Sequence, residues 1–389
     1  MAQDMAQKKS LRIAMLGHKR IPSREGGVEV VVEELSTRFA RDGHSVTCFN
    51  RRGHHVSGRD FDADIPDVYE GVRLVNVFTV NRRGLAALTS SLSGTLRAAF
   101  GPYDVVHIHA EGPAFLCWLP RLLGKRVVVT VHGLDHMRAK WGRLATAYIR
   151  MGEHAAVRYA HSIIVLSDSV RRYFLETYGR KTVLIPNGAS PALPRPAEEI
   201  AEAYGLATDG YILFLGRLVP EKGLLYLLRA FRDVKTDKRL VIAGGSSDTD
   251  DFVGQLKALA REDDRVLLTG FVQGRTLEEL YSNAYVYCLP SDLEGMPLSL
   301  LEAMSYGCCC LTSDIPECAA VVGDHAVTFR RGDTDDLRDR LQWLCDDASA
   351  VRRYRAGAAA YITEKYKWDD VADRTLAVYR GQTPPEGTA

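Results

Sequence analysis

Ser291-Asp292-Leu293-Glu294-Gly295-Met296-Pro297-Leu298-Ser299-Leu300-Leu301-Glu302-Ala303-Met304-Ser305-Tyr306-Gly307 follows a short apolar run, 285–289, of the kind that forms a buried parallel strand. Pro297 falls where a first helical residue is expected and Gly307 where the helix should be capped, so the segment reads as strand, loop and short helix. Two carboxylates lie eight residues apart, Glu294 in the loop and Glu302 inside the helix. Between them the amides of Gly295 and Met296 stand at the helix entrance, where the backbone attracts phosphate. Carboxylates that accept from hydroxyls, beside amides that hold phosphate, suit a sugar nucleotide. The alternative is structural: Glu294 caps the helix and Glu302 is a solvated helix residue.

Upstream, the apolar run 211–215 opens a series of alternating strands and helices, and Gly216-Arg217-Leu218-Val219-Pro220-Glu221-Lys222-Gly223 follows it. Arg217 at a strand end and Lys222 at the next helix start can face the same cleft as Glu294. Two cations there would bind a diphosphate and stabilise the charge it gains as a leaving group. The bland reading is a salt bridge between Glu221 and a neighbour. Further strands are expected at 239–243 and 265–268, the latter followed by Gly270-Phe271-Val272. Asp-x-Asp triplets occur at Asp62/Asp64, Asp248/Asp250 and Asp333/Asp335, but none ends an apolar strand, and no obligatory metal is expected.

Toward the amino end, a strand at 11–17 is followed by a loop, His18 to Gly27, and a helical pattern from Val28 that turns Val31, Val32, Leu35 and Phe39 inward. Gly26-Gly27 before that helix either permits close approach of backbone to a ligand or is an ordinary turn. Neither a Gly-x-Gly-x-x-Gly fingerprint nor a Walker A sequence is present. Strand-like runs recur at 45–50, 72–78, 104–109, 126–131 and 162–166, separated by helical stretches as in a parallel sheet. His107 and His109 share one strand face, as a packed or pocket-lining pair or as metal ligands that lack a third partner at fixed spacing. The run 127–131 delivers His132, with Asp135 a further candidate, to the carboxyl end of a strand, where open α/β sheets bind ligands. Two basic amphipathic stretches, Arg82 to Arg97 and Met137 to Arg158, could lie on an anionic membrane, hold an anionic acceptor, or be solvated helix faces with snorkelling arginines. A breaker cluster at Pro186-Asn187-Gly188 and three prolines within 189–196 place a linker there.

Composition agrees with two soluble domains: 389 residues, 46% hydrophobic and 25% charged, net charge +1. The charge is unevenly placed. Residues 1–190 hold 27 Lys and Arg against 17 Asp and Glu, net +10, and the remainder is net −9. The first half would therefore meet anionic partners, or simply pack against its acidic neighbour. Base-contacting motifs are missing, so nucleic acid is not expected as a partner. Eight cysteines without a Cys-x-x-Cys pair, mostly in apolar runs, read as reduced core residues of a cytoplasmic protein. No apolar run reaches a membrane span, the start at 1–10 lacks a signal-peptide core, and both 1–10 and the tail after Gly381 are expected to be disordered.

The stretch around Glu294 and Glu302 resembles the Glu-x7-Glu motif of retaining glycosyltransferases of the GT-B fold, specifically glycosyltransferase family four. Gly216-Arg217 with Glu221-Lys222-Gly223 matches a second motif of that family, and 21–29 resembles its glycine-rich loop, which faces the donor diphosphate and the acceptor. His132 matches a histidine that contacts the donor sugar, Pro186-Asn187-Gly188 the hinge entry, and 368–379 the last helix, which crosses back onto the first domain. The resemblance spans about 11–380. It implies an α/β protein of two Rossmann-like domains with parallel sheets facing an interdomain cleft. These would be an acceptor domain at 11–190, a donor domain at 197–365 and a returning helix at 366–380.

The resemblance further implies transfer of a sugar from a UDP- or GDP-sugar, with retention, to a hydroxyl of a glycan or lipid-linked acceptor in bacterial surface polysaccharide assembly. No cofactor beyond that donor substrate is implied. Arg217 and Lys222 would hold the diphosphate, Glu294 the sugar hydroxyls and Glu302 the ribose. Phe271 and Val272 would meet the base through backbone groups, and Gly295, Met296, Pro297 and Leu298 would form the helix entrance. His132 and Gly26-Gly27 would close the site from the first domain. An anionic membrane surface is a candidate partner, with the protein peripheral on the inner face. Other readings are a sugar-nucleotide epimerase, a phosphorylase (no pyridoxal-phosphate lysine is identifiable) and a non-catalytic sugar-nucleotide binder. Competent residues at every candidate position argue against the last.

Overall fold

The structure is a computed structural model and describes residues 10–53, 66–82, 84–138, 142–245 and 250–384. The expectations placed on 1–9, Asp62/Asp64, Arg83, Asp248 and 385–389 lie outside these residues.

Two sheets organise the described residues. The first has eight strands: β1 (Arg12–Leu16), β2 (Ser45–Arg51), β3 (Val68–Tyr69), β4 (Val72–Val77), β5 (Val105–His109), β6 (Arg126–Val131), β7 (Ser162–Val165) and β8 (Val183–Leu184). Their spatial order is β3-β4-β2-β1-β5-β6-β7-β8. All pairs are parallel except β3 with β4. The second has six strands, β9 (Tyr211–Leu215), β10 (Arg239–Ala243), β11 (Val266–Gly270), β12 (Val286–Leu289), β13 (Cys310–Ser313) and β14 (Val327–Phe329). They are parallel throughout, in the order β11-β10-β9-β12-β13-β14. Both orders reverse direction beside the first strand, between β1 and β5 and between β9 and β12. At such a switch point the flanking connections diverge and leave a crevice beyond the carboxyl ends of the strands.

Six helices among the described residues of the first half follow in chain order: α1 (Gly27–Arg41), α2 (Leu85–Phe100), α3 (Glu111–Ala114), α4 (Trp118–Leu122), α5 (Arg143–Tyr159) and α6 (Asp168–Tyr178). Strand alternation divides the first sheet's packing into two layers. Ile13 and Met15 of β1 face α1, whereas Ala14 and Leu16 face the layer that includes α2 and α5. The helix Trp368–Tyr379, last in the chain, packs on α1, with Tyr379 edge-on to Phe39 at 5.5 Å between ring centres. The second sheet has its own buried core. All eight cysteines are free thiols, seven of them buried.

Several expected details differ. Pro297 is the residue before the helix, with ψ 103°, and the helix runs Leu298–Ser305. The proline's fixed φ suits either position, but its extended ψ turns the loop into the helix, and its carbonyl accepts from the Leu300 and Leu301 amides. Gly307 lies one residue past the cap, at φ 74°, a conformation that favours glycine. The short edge strands β3 and β14 carry no strong sequence pattern.

The stretch Arg82 to Arg97, expected to be basic and amphipathic, forms α2 over most of its length. It contributes one cation inside the helix, Arg97. Ser90, Ser91, Gly94, Thr95, Ala98 and Ala99 face the sheet, and the leucines face outward.

Candidate active site

The thirteen residues assigned to the site line one cleft between the two sheets, about 1130 Å³ including its open mouth, whereas Asp135, the further candidate, is not in its lining. From the first domain come Gly26 and Gly27 at the start of α1, and His132 at the end of β6. From the second come Arg217 and Lys222 after β9, Phe271 and Val272 after β11, and the stretch that follows β12. Each candidate therefore lies beyond the carboxyl end of a strand or at a helix entrance, as the doubly wound topology dictates.

Lys222 donates to Glu294 at 2.6 Å, with both side chains about nine-tenths buried. Ser291 Oγ donates to the same carboxylate oxygen at 2.6 Å. Burial pushes the Glu294 carboxyl up, but the Lys222 ammonium, the two hydrogen bonds and the nearby Arg138 outweigh it and hold it below its ordinary range. Glu302 behaves oppositely. Burial dominates and raises its carboxyl, although Arg24 Nη1 stands 3.5 Å from Oε1 and Tyr281 Oη donates to Oε2 at 3.2 Å. Two glutamates eight residues apart thus have different tasks available, one fixed as an anion and one nearer to protonation.

Arg217 is half-buried and has no ion-pair partner among the described residues. Burial, then the positive charge of Arg138, presses its guanidinium below the ordinary value. Asp135, Glu221 and Glu29 act on it from a distance, but none forms an ion pair with it among the described residues, so a dianion in the cleft would be its direct partner. The first turn of the helix Leu298–Ser305 adds the Leu298 and Ser299 amides, which have no intrahelical acceptor.

The two domains meet in this cleft. A Cβ on Gly295 would lie 1.6 Å from the His132 carbonyl oxygen, and one on Gly27 would lie 3.2 Å from Leu298 Cδ1. Arg138 Nη1 reaches Glu221 Oε1 at 3.4 Å, and Asn187 Nδ2 donates to the Met296 carbonyl at 3.3 Å. Arg138 lines the cleft although its sequence neighbourhood reads only as a generic basic stretch. In the structure Asp135 holds its Nε at 2.7 Å and turns it into the cleft. Gly244-Gly245, after β10, also line the cleft. A Cβ on Gly244 would strike the Gly216 carbonyl at 1.8 Å, and this glycine pair after a strand was a usable signal.

His132 stands at the end of a relay of buried rings. Tyr379 Oη and His107 Nδ1 are 2.6 Å apart, and His107 Nε2 and Thr130 Oγ1 are 2.7 Å apart. The His107 and His109 ring centres are 4.1 Å apart, and His109 Nδ1 is 2.9 Å from His132 Nε2. His107 and His109 are therefore a packed pair that ties the last helix to the cleft. Burial first, then neighbouring imidazoles, lowers His107 to about 3 and His109 well below the ordinary value; burial lowers His132 to about 4. His132 is thus neutral at neutral pH and acts as a hydrogen-bonding group, not a cation.

Behind the cleft loop, Glu111, His136 and Glu153 bring ligand atoms within 4.8 Å of one another. Glu153 accepts from Tyr173 Oη at 2.8 Å, and Glu111 accepts from the Asp135 amide at 3.3 Å. His136 Nδ1 stands 3.2 Å from Glu153 Oε2, and burial with the charges of Asp135 and Glu153 raises the Glu111 carboxyl well above its ordinary range.

A pH prediction follows from His18, His107 and His109, all fully buried and lowered, His18 to about 4 by burial. Unfolded, these rings take protons near 6.5; folded, they resist until much lower pH. The unfolded state therefore binds more protons in that window, and stability falls as pH drops from about 6.5 toward 4, by up to about 1.4 kcal/mol per pH unit for each ring. Melting temperatures between pH 7.5 and 4.5 should show this decline, and a flat profile would contradict the neutral cluster.

The sequence model described as "Glycosyltransferase Family 4" matches residues 25–193, and that described as "Glycosyl transferases group 1" matches 197–361. The chain is 29% identical to a D-inositol 3-phosphate glycosyltransferase of Xylanimonas cellulosilytica, over 96% of this chain and 97% of the relative. It is 27% identical to an O-antigen chain mannosyltransferase B of Escherichia coli, over 73% and 77%. In fold it is similar to a sucrose-phosphate synthase from Thermosynechococcus elongatus (TM-score 0.79, 21% identity, 96% and 99% covered). It is also similar to Anabaena HepE in complex with UDP-glucose (TM-score 0.77, 15% identity, 95% and 100% covered). The chain is an enzyme of the GT-B glycosyltransferases and belongs to glycosyltransferase family four.

Proposed function

We propose that this enzyme transfers a sugar from a nucleotide diphosphate sugar to a hydroxyl of a glycan or lipid-linked acceptor, with retention at the anomeric carbon. The observation that carries the reading is the half-buried Arg217, unpaired among the described residues, beside Lys222 and the helix entrance at Leu298. The donor's diphosphate supplies the missing counter-charge. Lys222 spends one hydrogen on Glu294 and has two more for phosphate oxygens, so it stabilises the leaving diphosphate without releasing the glutamate.

Glu294, held as an anion, accepts from the sugar's hydroxyls, and His132, held neutral, offers a hydrogen bond from the opposite wall. Glu302, flanked by Tyr281, receives the ribose, and the backbone at Phe271 and Val272 meets the base. Gly26-Gly27 lets the α1 entrance approach the phosphates closely. The close meeting of Gly295 with the His132 carbonyl expels water from the reacting centre, which limits donor hydrolysis. A neighbour's complex with UDP-glucose favours a UDP-sugar as donor. The basic first half of the chain favours an acceptor that is anionic or carried by lipid, with the enzyme working at the cytoplasmic face of a membrane.

Melting the protein with a panel of nucleoside diphosphates and nucleotide sugars tests the donor site, since a ligand that binds only the native state raises the melting temperature. One base should give a shift of a few degrees, shared by its diphosphate and its sugar nucleotide. A panel without any shift would overturn the assignment of Arg217, Lys222 and Glu302.

A further inference from the structure

The layer formed by α2, α4 and α5 covers one face of the first sheet, and these helices pack side by side. Its inner side is built from small residues: Ala98 of α2 and Ala155 and Ala156 of α5. Its outer side is apolar. Leu85, Leu88, Leu92, Leu96 and Phe100 of α2 are exposed at helical spacing, Phe100 by 73%. Leu122 of α4 is 72% exposed, and Leu144 of α5 is 90% exposed. A soluble helix normally turns such residues inward; here Gly94 lies 3.7 Å or more, by its would-be Cβ, from Phe49 and Val77, and the small face meets the sheet instead.

The charges on this surface have one sign. Neither α2 nor α4 contains an acidic residue, and the one in α5, Glu153, is fully buried. Arg97, Arg121, Arg143 and Arg150 are exposed among the leucines. No helix among the described residues is long and apolar enough to cross a membrane. A broad apolar face studded with arginines and free of carboxylates matches an anionic lipid surface: the side chains enter the headgroup boundary and the guanidinium groups meet phosphates. α5 packs on the turn Asp135–Met137, where His136 Nδ1 stands 3.2 Å from Glu153 Oε2, and Arg138 directly after that turn lines the cleft, so the surface lies on the first domain's side of the cleft.

We infer that the outer face of α2, α4 and α5 docks on anionic membrane lipid and brings the cleft's acceptor side to the bilayer. This deepens the lipid-linked acceptor reading and specifies the contacting helices, but the docking itself does not depend on donor chemistry.

Cosedimentation with vesicles tests it. Vesicles containing phosphatidylglycerol should pull down the protein, pure phosphatidylcholine vesicles should not, and raising salt from 0.1 to 0.5 M (about 10 Å to under 5 Å of screening length) should release it. The double variant Leu88→Glu, Leu92→Glu should bind at least about tenfold more weakly with an unchanged melting temperature, since both side chains are exposed. Wild-type protein that stays in the supernatant, or a variant that binds as well as wild type, would overturn the proposal. So would a wild-type dimer in solution that the same variant converts to monomer, because the face would then belong to a second copy. Nucleotide-induced melting shifts measured on the same samples separate the two readings: shifts without vesicle binding sink only the docking surface, and binding without shifts sinks only the donor site.

Discussion

Replacing Lys222 with alanine should lower turnover by about two to three orders of magnitude while the protein still folds. The ammonium is the group placed to receive negative charge on the leaving diphosphate, and no other described lysine lines the cleft. Its removal also leaves Glu294 about nine-tenths buried without its main counter-charge, so the Glu294 carboxyl should rise from its depressed position. Two readouts therefore separate catalysis from structure. The residual activity of Lys222→Ala should lose its acid limb at higher pH than wild type. Adding Glu294→Gln should restore the melting temperature, because the buried charge is gone, without restoring turnover. A well-folded Lys222→Ala enzyme with near-normal turnover would remove the residue from the mechanism.

The second large effect is expected from a single methyl group. In Gly295→Ala the new Cβ would lie 1.6 Å from the His132 carbonyl oxygen and 2.6 Å from its carbon, both on the opposite domain. The backbone at Gly295 is not in the left-handed region, so the fault is steric and not conformational. Relief requires the two walls to separate by about 1.5 Å, and a displacement of that size at a reacting centre costs on the order of 100-fold in rate. Each sheet keeps its own core, so the melting temperature should hardly move. Gly254→Ala serves as control: nothing stands within 4 Å of its Cβ, and alanine is the better helix former there. If Gly295→Ala kept wild-type kinetics, the closed contact between the domains would play no part in turnover.

Much of the cleft was legible because its signals are local. Arg217 after a strand, Lys222 before a helix, Gly26-Gly27 at a helix entrance and Glu294 with Glu302 around a loop are all set by what a parallel sheet does at its carboxyl edge. Their convergence on one cleft follows from the paired switch points, which no single segment reveals. Three features were hidden for physical reasons. Arg138 acquires its place through Asp135 and Glu221, the latter on the other domain. The relay from Tyr379 through His107 and His109 to His132 joins residues hundreds of positions apart, and a strand pattern says only that His107 and His109 share a face. In α2 the amphipathic spacing does not say which face meets the sheet. The close fit of Gly94, Thr95 and Ala98 against the sheet decides it, because a helix that must pack tightly needs small residues at the contact.

The most direct test of the donor site is a calorimetric titration of UDP and GDP into wild-type protein and into Arg217→Ala. One diphosphate should bind the wild type with favourable enthalpy, and Arg217→Ala, which gives up the arginine left unpaired among the described residues, should bind it at least about tenfold more weakly. Equal affinity in the two proteins, or no binding to the wild type by either nucleotide, would contradict the placement of the diphosphate between Arg217, Lys222 and the entrance of the helix Leu298–Ser305.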